Sequence, residues 1–270
     1  MVYNIQEPIY ICGDIHGQFD LIKPHIEKYD LSNCSIIFCG DIGLGFTSVK
    51  NWFKNIIKLK LFKILEKRNV DLYFIRGNHD NPSWFDDKTI SEPHIKAISD
   101  YSVLLSSNHN ILCVGGGISI DRSDRILKMK FDILQYRKYN PHLTTKEIES
   151  KISKCYWETE APKYSPTKID NIIQSIDVVC THVAPKEFSP LPLNRGYWFR
   201  VDPMLHLDCS KEREVLSQIK QHLLSKNHPI KYWFYGHYHL NENNIIDGIK
   251  TVLLDMARDK ELSMIELRNE

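Results

Sequence analysis

The seven cysteines include no C-x-x-C pair, so the sequence offers neither a redox dithiol nor a zinc knuckle. Their number is odd, and Cys12, Cys39, Cys113 and Cys180 lie inside apolar runs, where cysteine acts as a small buried hydrophobe. All seven are therefore read as reduced thiols. An excess of charge of one sign is also lacking. Lys and Arg number 35 against 34 Asp and Glu, a formal net charge of +1. No global field draws the chain to nucleic acid or an anionic membrane, although a local basic groove stays open. No stretch approaches the ~20 consecutive apolar residues that cross a bilayer. Residues 1–7 show no basic region followed by an apolar stretch, so no signal peptide is read there. A soluble, cytoplasmic protein without membrane contact is expected. Repeats, low-complexity tracts and Gly/Ser linkers are missing too. At 270 residues the chain can bury one large core, so a single domain over 1–270 is expected.

The apolar runs that are present are short and mostly β-branched or aromatic. They fall at 9–12, 36–39, 72–75, 111–114, 178–180 and 232–235, with another strand expected at 251–254. Continuous rather than alternating runs indicate strands buried on both faces. Helical spacing lies between them. Trp52, Ile56, Leu59, Phe62 and Leu65 predict one long amphipathic helix to about Lys67. Thr144 and Glu147 form a capping-box signal ahead of Ile148, Ile152 and Cys155. Glu214, Val215, Ile219, Leu223 and Leu224 mark a further helix. Strands alternating with helices place the chain in the α/β class. The polar segment 121–168 reads as an excursion from the core. The stretch 184–207, with four prolines, reads as an active-site loop.

Five motifs place metal-ligand side chains straight after these runs. They are Gly13-Asp14-Ile15-His16-Gly17, Gly40-Asp41, Gly77-Asn78-His79-Asp80, Thr181-His182 and Gly236-His237-Tyr238-His239. Ligands in open α/β sheets bind beyond the carboxyl ends of strands, so all five motifs are expected to reach one pocket from one sheet edge. Gly13, Gly40, Gly77 and Gly236 precede ligands at sharp turns, where the absence of a Cβ permits φ > 0 and close backbone approach. Mixed carboxylate, imidazole and amide donors suit Mn, Fe, Zn or Ni and lack the thiolates of structural zinc. Two such ions about 3.5–4 Å apart activate a bridging hydroxide and clamp phosphoryl oxygens, so hydrolysis of a phosphate ester is the expected chemistry. Histidines 25, 94, 109, 142, 206, 222 and 228 fall outside the motifs and are read as solvated or core-satisfied.

In these motifs the chain resembles the calcineurin-like metallophosphoesterases, whose pattern D-x-H, G-D, G-N-H-[DE], H and G-H-x-H is matched in order from residue 13 to residue 239. The resemblance implies two packed mixed β-sheets flanked by helices, a four-layer α/β/β/α sandwich. It implies two divalent ions, manganese first, with Fe, Zn or Ni as alternatives. Asp14, His16 and His239 would bind the first ion, Asn78, His182 and His237 the second, with Asp41 bridging both. His79 would face the leaving-group oxygen as general acid or transition-state stabiliser.

Protein Ser/Thr phosphatases of this superfamily read G-D-x-x-D-R-G at the second motif. Here Leu44 stands for the acid that orients the catalytic histidine, and Gly45 for an arginine that grips phosphate. The pattern is closer to bacterial and phage metallophosphoesterases, which carry a glycine pair, a Ser, an Asp-Arg and an aromatic-acidic motif. The counterparts are Gly115 to Gly117, Ser119, Asp121-Arg122, and Tyr156-Trp157 with Glu160. Arg122 or Arg125, or Arg195 in the Pro-rich loop, is then a candidate phosphate grip. The resemblance implies a phosphomonoesterase acting on a phosphoprotein or a small phosphorylated metabolite. Phosphodiesterase, nuclease or dinucleoside polyphosphate hydrolysis is the alternative. The near-neutral charge disfavours a nucleic-acid partner. A non-catalytic interaction scaffold ranks last, because every ligand of the pattern is present.

Overall fold

The apolar runs of the sequence become the central strands of two β-sheets. The computed structural model describes residues 1–149, 151–152, 154–190 and 196–268. In chain order its strands are β1 (Val2–Asn4), β2 (Ile9–Cys12), β3 (Cys34–Phe38), β4 (Val70–Phe74), β5 (Ser91–Glu92), β6 (Ile95–Ala97) and β7 (Ser102–Leu105). They continue as β8 (Asn110–Val114), β9 (Val178–Thr181), β10 (Tyr232–Tyr235), β11 (Glu242–Ile246), β12 (Ile249–Leu253) and β13 (Met264–Leu267). One sheet runs β1-β7-β8-β9-β10-β12-β11 and the other β13-β2-β3-β4-β6-β5. Both are mixed. β8, β9, β10 and β12 pair in parallel in the first sheet, and β2, β3, β4 and β6 in the second; antiparallel strands flank both blocks, and β1 runs parallel to β7 at the edge of the first sheet.

Period-two alternation explains how the sheets stack. Ile37 and Cys39 point one way from β3 and its end, into a cluster with Ile9, Ile11, Cys113, Cys180 and Phe234 drawn from both sheets. Ile36 and Phe38 point the other way, under α1 (Ile22–Lys28), α2 (Val49–Lys58) and α3 (Leu61–Arg68). On the far side, Val179 and Trp233 meet Leu216, Ile219 and Leu223 of a 21-residue helix. Strands buried on both faces require continuous apolar runs, and the helix–sheet–sheet–helix layering follows from that pattern.

One helix differs from its sequence pattern. The stretch expected to be continuous to about Lys67 is two helices, α2 and α3, because Lys60 takes a left-handed conformation with φ 57°. The break re-aims the second half so that Leu61, Ile64 and Leu65 all enter the core. Segment 121–168 holds α4 (Arg122–Tyr139), α5 (Thr145–Glu149) and the start of α6 (Pro166–Asp170). Leu127, Phe131 and Leu134 of α4 are exposed, which is why no buried periodicity marked it as a helix. The capping box forms: Thr144 N donates to Glu147 Oε2 at 2.7 Å. The remaining helices are α7 (Tyr197–Val201) within the Pro-rich stretch and α8 (Leu205–Ser225). All seven cysteines are free. Among the described residues no helix is long and apolar enough to cross a membrane.

Ile37 is fully buried where the two sheets meet. Ile37→Ala should lower the unfolding free energy by about 2–5 kcal/mol in urea titrations of the metal-free chain. An unchanged midpoint would mean that the sheets do not pack tightly at this point.

Candidate metal centre

Five strands deliver the candidate donors at their carboxyl ends. β2 leads to Asp14 and His16, β3 to Asp41, and β4 to Asn78 and His79. From the other sheet, β9 leads to His182 and β10 to His237 and His239. The expectation of a single sheet edge is thus corrected. Three motifs come from one sheet and two from its partner, because the parallel blocks of both sheets end side by side. Backbone contacts stitch the two edges: His182 Nδ1 donates to Cys39 O at 2.7 Å, and His237 N donates to Asp14 Oδ2 at 3.1 Å.

The donors form two groups that share one residue. Asp14, His16, Asp41 and His239 each place a donor atom within 4.8 Å of the others, and Asp41, His182 and His237 do the same. Asn78 joins the second group, its Oδ1 lying 3.0 Å from His182 Nε2 and 2.9 Å from His237 Nδ1. His16 Nε2 and His239 Nε2 are 3.1 Å apart, and His182 Nε2 and His237 Nδ1 3.2 Å. Two ligands on one ion, with bonds of about 2.1 Å, stand roughly 3.0–3.4 Å apart. Imidazole nitrogens at that spacing, grouped about a shared carboxylate, fit a pair of divalent cations.

The electrostatics agree. Burial opposes charge on Asp41, yet His182 beside it, with His79 and His16, holds the carboxyl well below its usual range. Burial likewise opposes charge on His182, but Asp41 and Asp14 override it and push its pKa up to about 10. Burial and the His182 charge together hold His237 well below its ordinary value, so it presents a neutral ring. The His182 Nδ1–Cys39 bond leaves Nε2 as the ligand atom, the usual role of a backbone carbonyl behind a metal-binding histidine.

The backbone here is strained at the donors themselves. His16, Asp41, His237 and His239 have φ of 44°, 49°, 70° and 53°. Non-glycine residues in this region cluster at functional sites. Of the four glycines that precede donors, Gly13, Gly40, Gly77 and Gly236, only Gly40 takes a positive φ, 99°. The others lack a Cβ because there is no room for one. A Cβ on Gly77 would lie 2.1 Å from Asp41 Oδ1, and one on Gly236 2.1 Å from Asp14 Oδ1. Asp80, to which no sequence role was attached, clamps the turn. Its carboxylate accepts from the backbone N–H of Ile42, Gly43, Leu44 and Gly77 at 2.7–3.1 Å.

His79 sits at the rim with its backbone N–H donating to Asp41 Oδ1 at 2.7 Å. Leu44 is buried and supplies no acid. The ring instead meets Arg125, whose Nη2 lies 2.6 Å from His79 Nε2 while its Nε pairs with Asp121 at 2.7 Å. Guanidinium only donates, so Nε2 accepts and the ring is neutral. Burial, with help from Arg125 and His16, lowers the His79 pKa to about 4. Of the two candidate arginines on α4, Arg122 and Arg125, only Arg125 is brought to this centre. Arg122, one turn away, is committed to Asp202 and Asp208 at 2.6 and 2.8 Å. Arg195 lies outside the described residues. Phe46 packs beside His79, ring centroids 6.1 Å apart, and Trp157 packs on Phe46 at 5.3 Å. Outside the motifs, His94, His109 and His222 each pair one ring nitrogen with an aspartate, Asp71, Asp177 and Asp170 respectively.

The glycine run and the aromatic-acidic motif also meet. Ser119 donates its N–H and Oγ–H to Glu160 at 2.7 and 2.8 Å. Buried Arg76 pairs with Asp100 and donates to Glu160 O and Ala161 O. The pairing of Ser119 with Glu160 spans 41 residues, and no sequence spacing announces it.

Comparison with known proteins places these features in context. A family model described as calcineurin-like phosphoesterase matches residues 7–241. The serine/threonine-protein phosphatase ppe1 of Schizosaccharomyces pombe is 29% identical over 134 residues, 44% of this chain and 42% of the relative. The serine/threonine-protein phosphatase 2B catalytic subunit A2 of Saccharomyces cerevisiae is 32% identical over 130 residues, 43% of this chain and 20% of that one. The chain thus spans less than half the length of these curated relatives. A dimetal phosphatase from Danio rerio superposes with a TM-score of 0.45 at 14% identity, covering 93% of this chain and 88% of that one.

Asp80→Ala would leave four N–H groups of the turn without their acceptor. It should cost about 3 kcal/mol of stability, read as a lowered Tm of the metal-free chain. An unchanged Tm would show that the turn holds itself without the carboxylate.

Proposed function

The chain belongs to the calcineurin-like phosphoesterase family, and from that premise we propose that it is a phosphomonoesterase working with two divalent ions. The observation that carries this reading is the sharing of Asp41 between two groups of donors. Asp14, His16 and His239 would hold one ion, Asn78, His182 and His237 the other, and Asp41 both. The oxygen and imidazole donors favour manganese, with Fe, Zn or Ni as competitors. When bound, the ions supply a water of lowered pKa and take up charge on phosphoryl oxygens.

The chain's own groups bind and orient the substrate. A phosphate monoester has three terminal oxygens, one more than a diester, and Arg125 at the rim is fit to grip two at once. Arg125 donates to His79 Nε2 in the resting arrangement. A phosphate anion competes for the same guanidinium. Once Arg125 turns to phosphate, His79 Nε2 is free, and the negative charge of the phosphate beside it opposes the burial that keeps the ring neutral, so that Nε2 can take a proton from solvent and deliver it to the leaving-group oxygen. Phosphorylated side chains of proteins and small phosphorylated metabolites share this chemistry and are the proposed substrates. Seven unpaired thiols suit a reducing compartment, so the cytoplasm is the proposed location.

Rates on p-nitrophenyl phosphate and its bis ester, with Mn²⁺ and after chelation, test the reading. Faster, metal-dependent cleavage of the monoester is expected. A diester preference would replace it with a phosphodiesterase or nuclease, and turnover that survives chelation would remove the metals from the chemistry. In the same assay His79→Asn should cut turnover roughly 10²–10⁴-fold with metal content intact. Unchanged turnover would take His79 out of the mechanism. Asp41→Asn should lower the occupancy of both ions, and full retention of two would contradict its bridging position.

A further inference from the structure

Asn78 differs from every other candidate donor in having two chemically opposite ends. Its Oδ1 can bind a cation, and its Nδ2 repels one. An asparagine that flips by half a turn therefore ceases to be a ligand. Something must hold the amide in the useful orientation, and the site-side hydrogen bond to Oδ1, from His182 Nε2, is lost when an ion takes that nitrogen. His182 Nε2 and His237 Nδ1, which face Oδ1, are the nitrogens that an ion would occupy.

The far end of the amide meets a relay with a fixed direction. Asn78 Nδ2 lies 3.2 Å from Ser119 Oγ, and Ser119 Oγ lies 2.8 Å from Glu160 Oε2. Glu160 Oε1 accepts the Ser119 N–H at 2.7 Å, which fixes the carboxylate against the turn. The segment bearing Glu160 is itself held, since its carbonyl accepts from Arg76 Nη1 and from Gly117 N. Asn78, Ser119 and Glu160 are all buried, so water does not substitute for a missing partner. With the Ser119 hydroxyl proton directed to Glu160, the Oγ lone pairs are left to accept, and they accept from Nδ2. The carbonyl end of Asn78 is thereby turned to the site.

The geometry points to Ser119 and Glu160 as positioning residues that set the polarity of the Asn78 side chain and so the affinity of the second-ion site. This rests on the two-ion reading above and adds residues that supply no donor atom to either ion group. Partners behind a metal ligand typically contribute 10–100-fold in affinity.

The test is a double-mutant cycle read by calorimetric Mn²⁺ titration rather than by activity. Ser119→Ala should weaken the second binding event about 10–100-fold and leave the first, at Asp14, His16, Asp41 and His239, within a few-fold. Ser119→Thr keeps the hydroxyl and should restore the second event. In an Asn78→Asp background both ends of the side chain are acceptors, so orientation no longer matters. There Ser119→Ala should change the second affinity by less than about 3-fold, a coupling that mere loss of packing does not produce. Unchanged affinity in Ser119→Ala, or the same fold-loss in both backgrounds, would overturn the relay. A parent chain that binds fewer than two ions would overturn the two-ion reading, and the relay with it. A parent chain that binds two with insensitive variants would overturn the relay alone.

Discussion

The structure turns on the cost of holding polar donors together away from water. Asp14, Asp41, Asn78 and His182 are buried and crowd their oxygen and nitrogen donors into two groups, with backbone N–H groups of His237 and His79 meeting only Asp14 and Asp41. Burying charges and lone pairs in this way is unfavourable unless opposite charge is supplied. Within the chain, His182 supplies part of it, which is why its pKa rises to about 10 against the pull of burial while that of Asp41 falls. Two divalent cations would complete the compensation, and their binding would then couple to folding and to release of the His182 proton.

The two-sheet fold exists around that constraint. Parallel strands in both sheets end at one place, and the inter-sheet core of Ile9, Ile37, Val178 and Phe234 fixes how closely those ends approach. Left-handed backbone at His16, Asp41, His237 and His239 is the local strain that aims the side chains inward. Asp80 and the absent Cβ atoms of Gly77 and Gly236 hold the turns in that shape. At the rim, Arg125 reaches His79 from α4, on a segment that leaves the core and returns at Glu160.

Most of the central strands and all seven candidate donors were legible in the sequence. Strands buried on both faces leave continuous apolar runs, and ligands at strand ends leave short motifs at their boundaries. What was not legible depends on pairings far apart in the chain. The break at Lys60 follows from where Leu61 and Leu65 must pack, which helical periodicity alone does not encode. Helix α4 hides because its apolar residues are exposed. The choice of Arg125 over Arg122 depends on Asp202 and Asp208, some 80 residues away, which occupy Arg122. The Ser119–Glu160 pair was visible only as two unconnected motifs.

The central claim is that one carboxylate, Asp41, joins two ions. Electron paramagnetic resonance of the chain loaded with two equivalents of Mn²⁺ tests it most directly, because ions about 3.5–4 Å apart and bridged by a shared ligand couple magnetically. The account predicts the spectrum of an exchange-coupled pair, lost when Asp41 is changed to Asn. The hyperfine pattern of isolated ions at full intensity for both equivalents would contradict it.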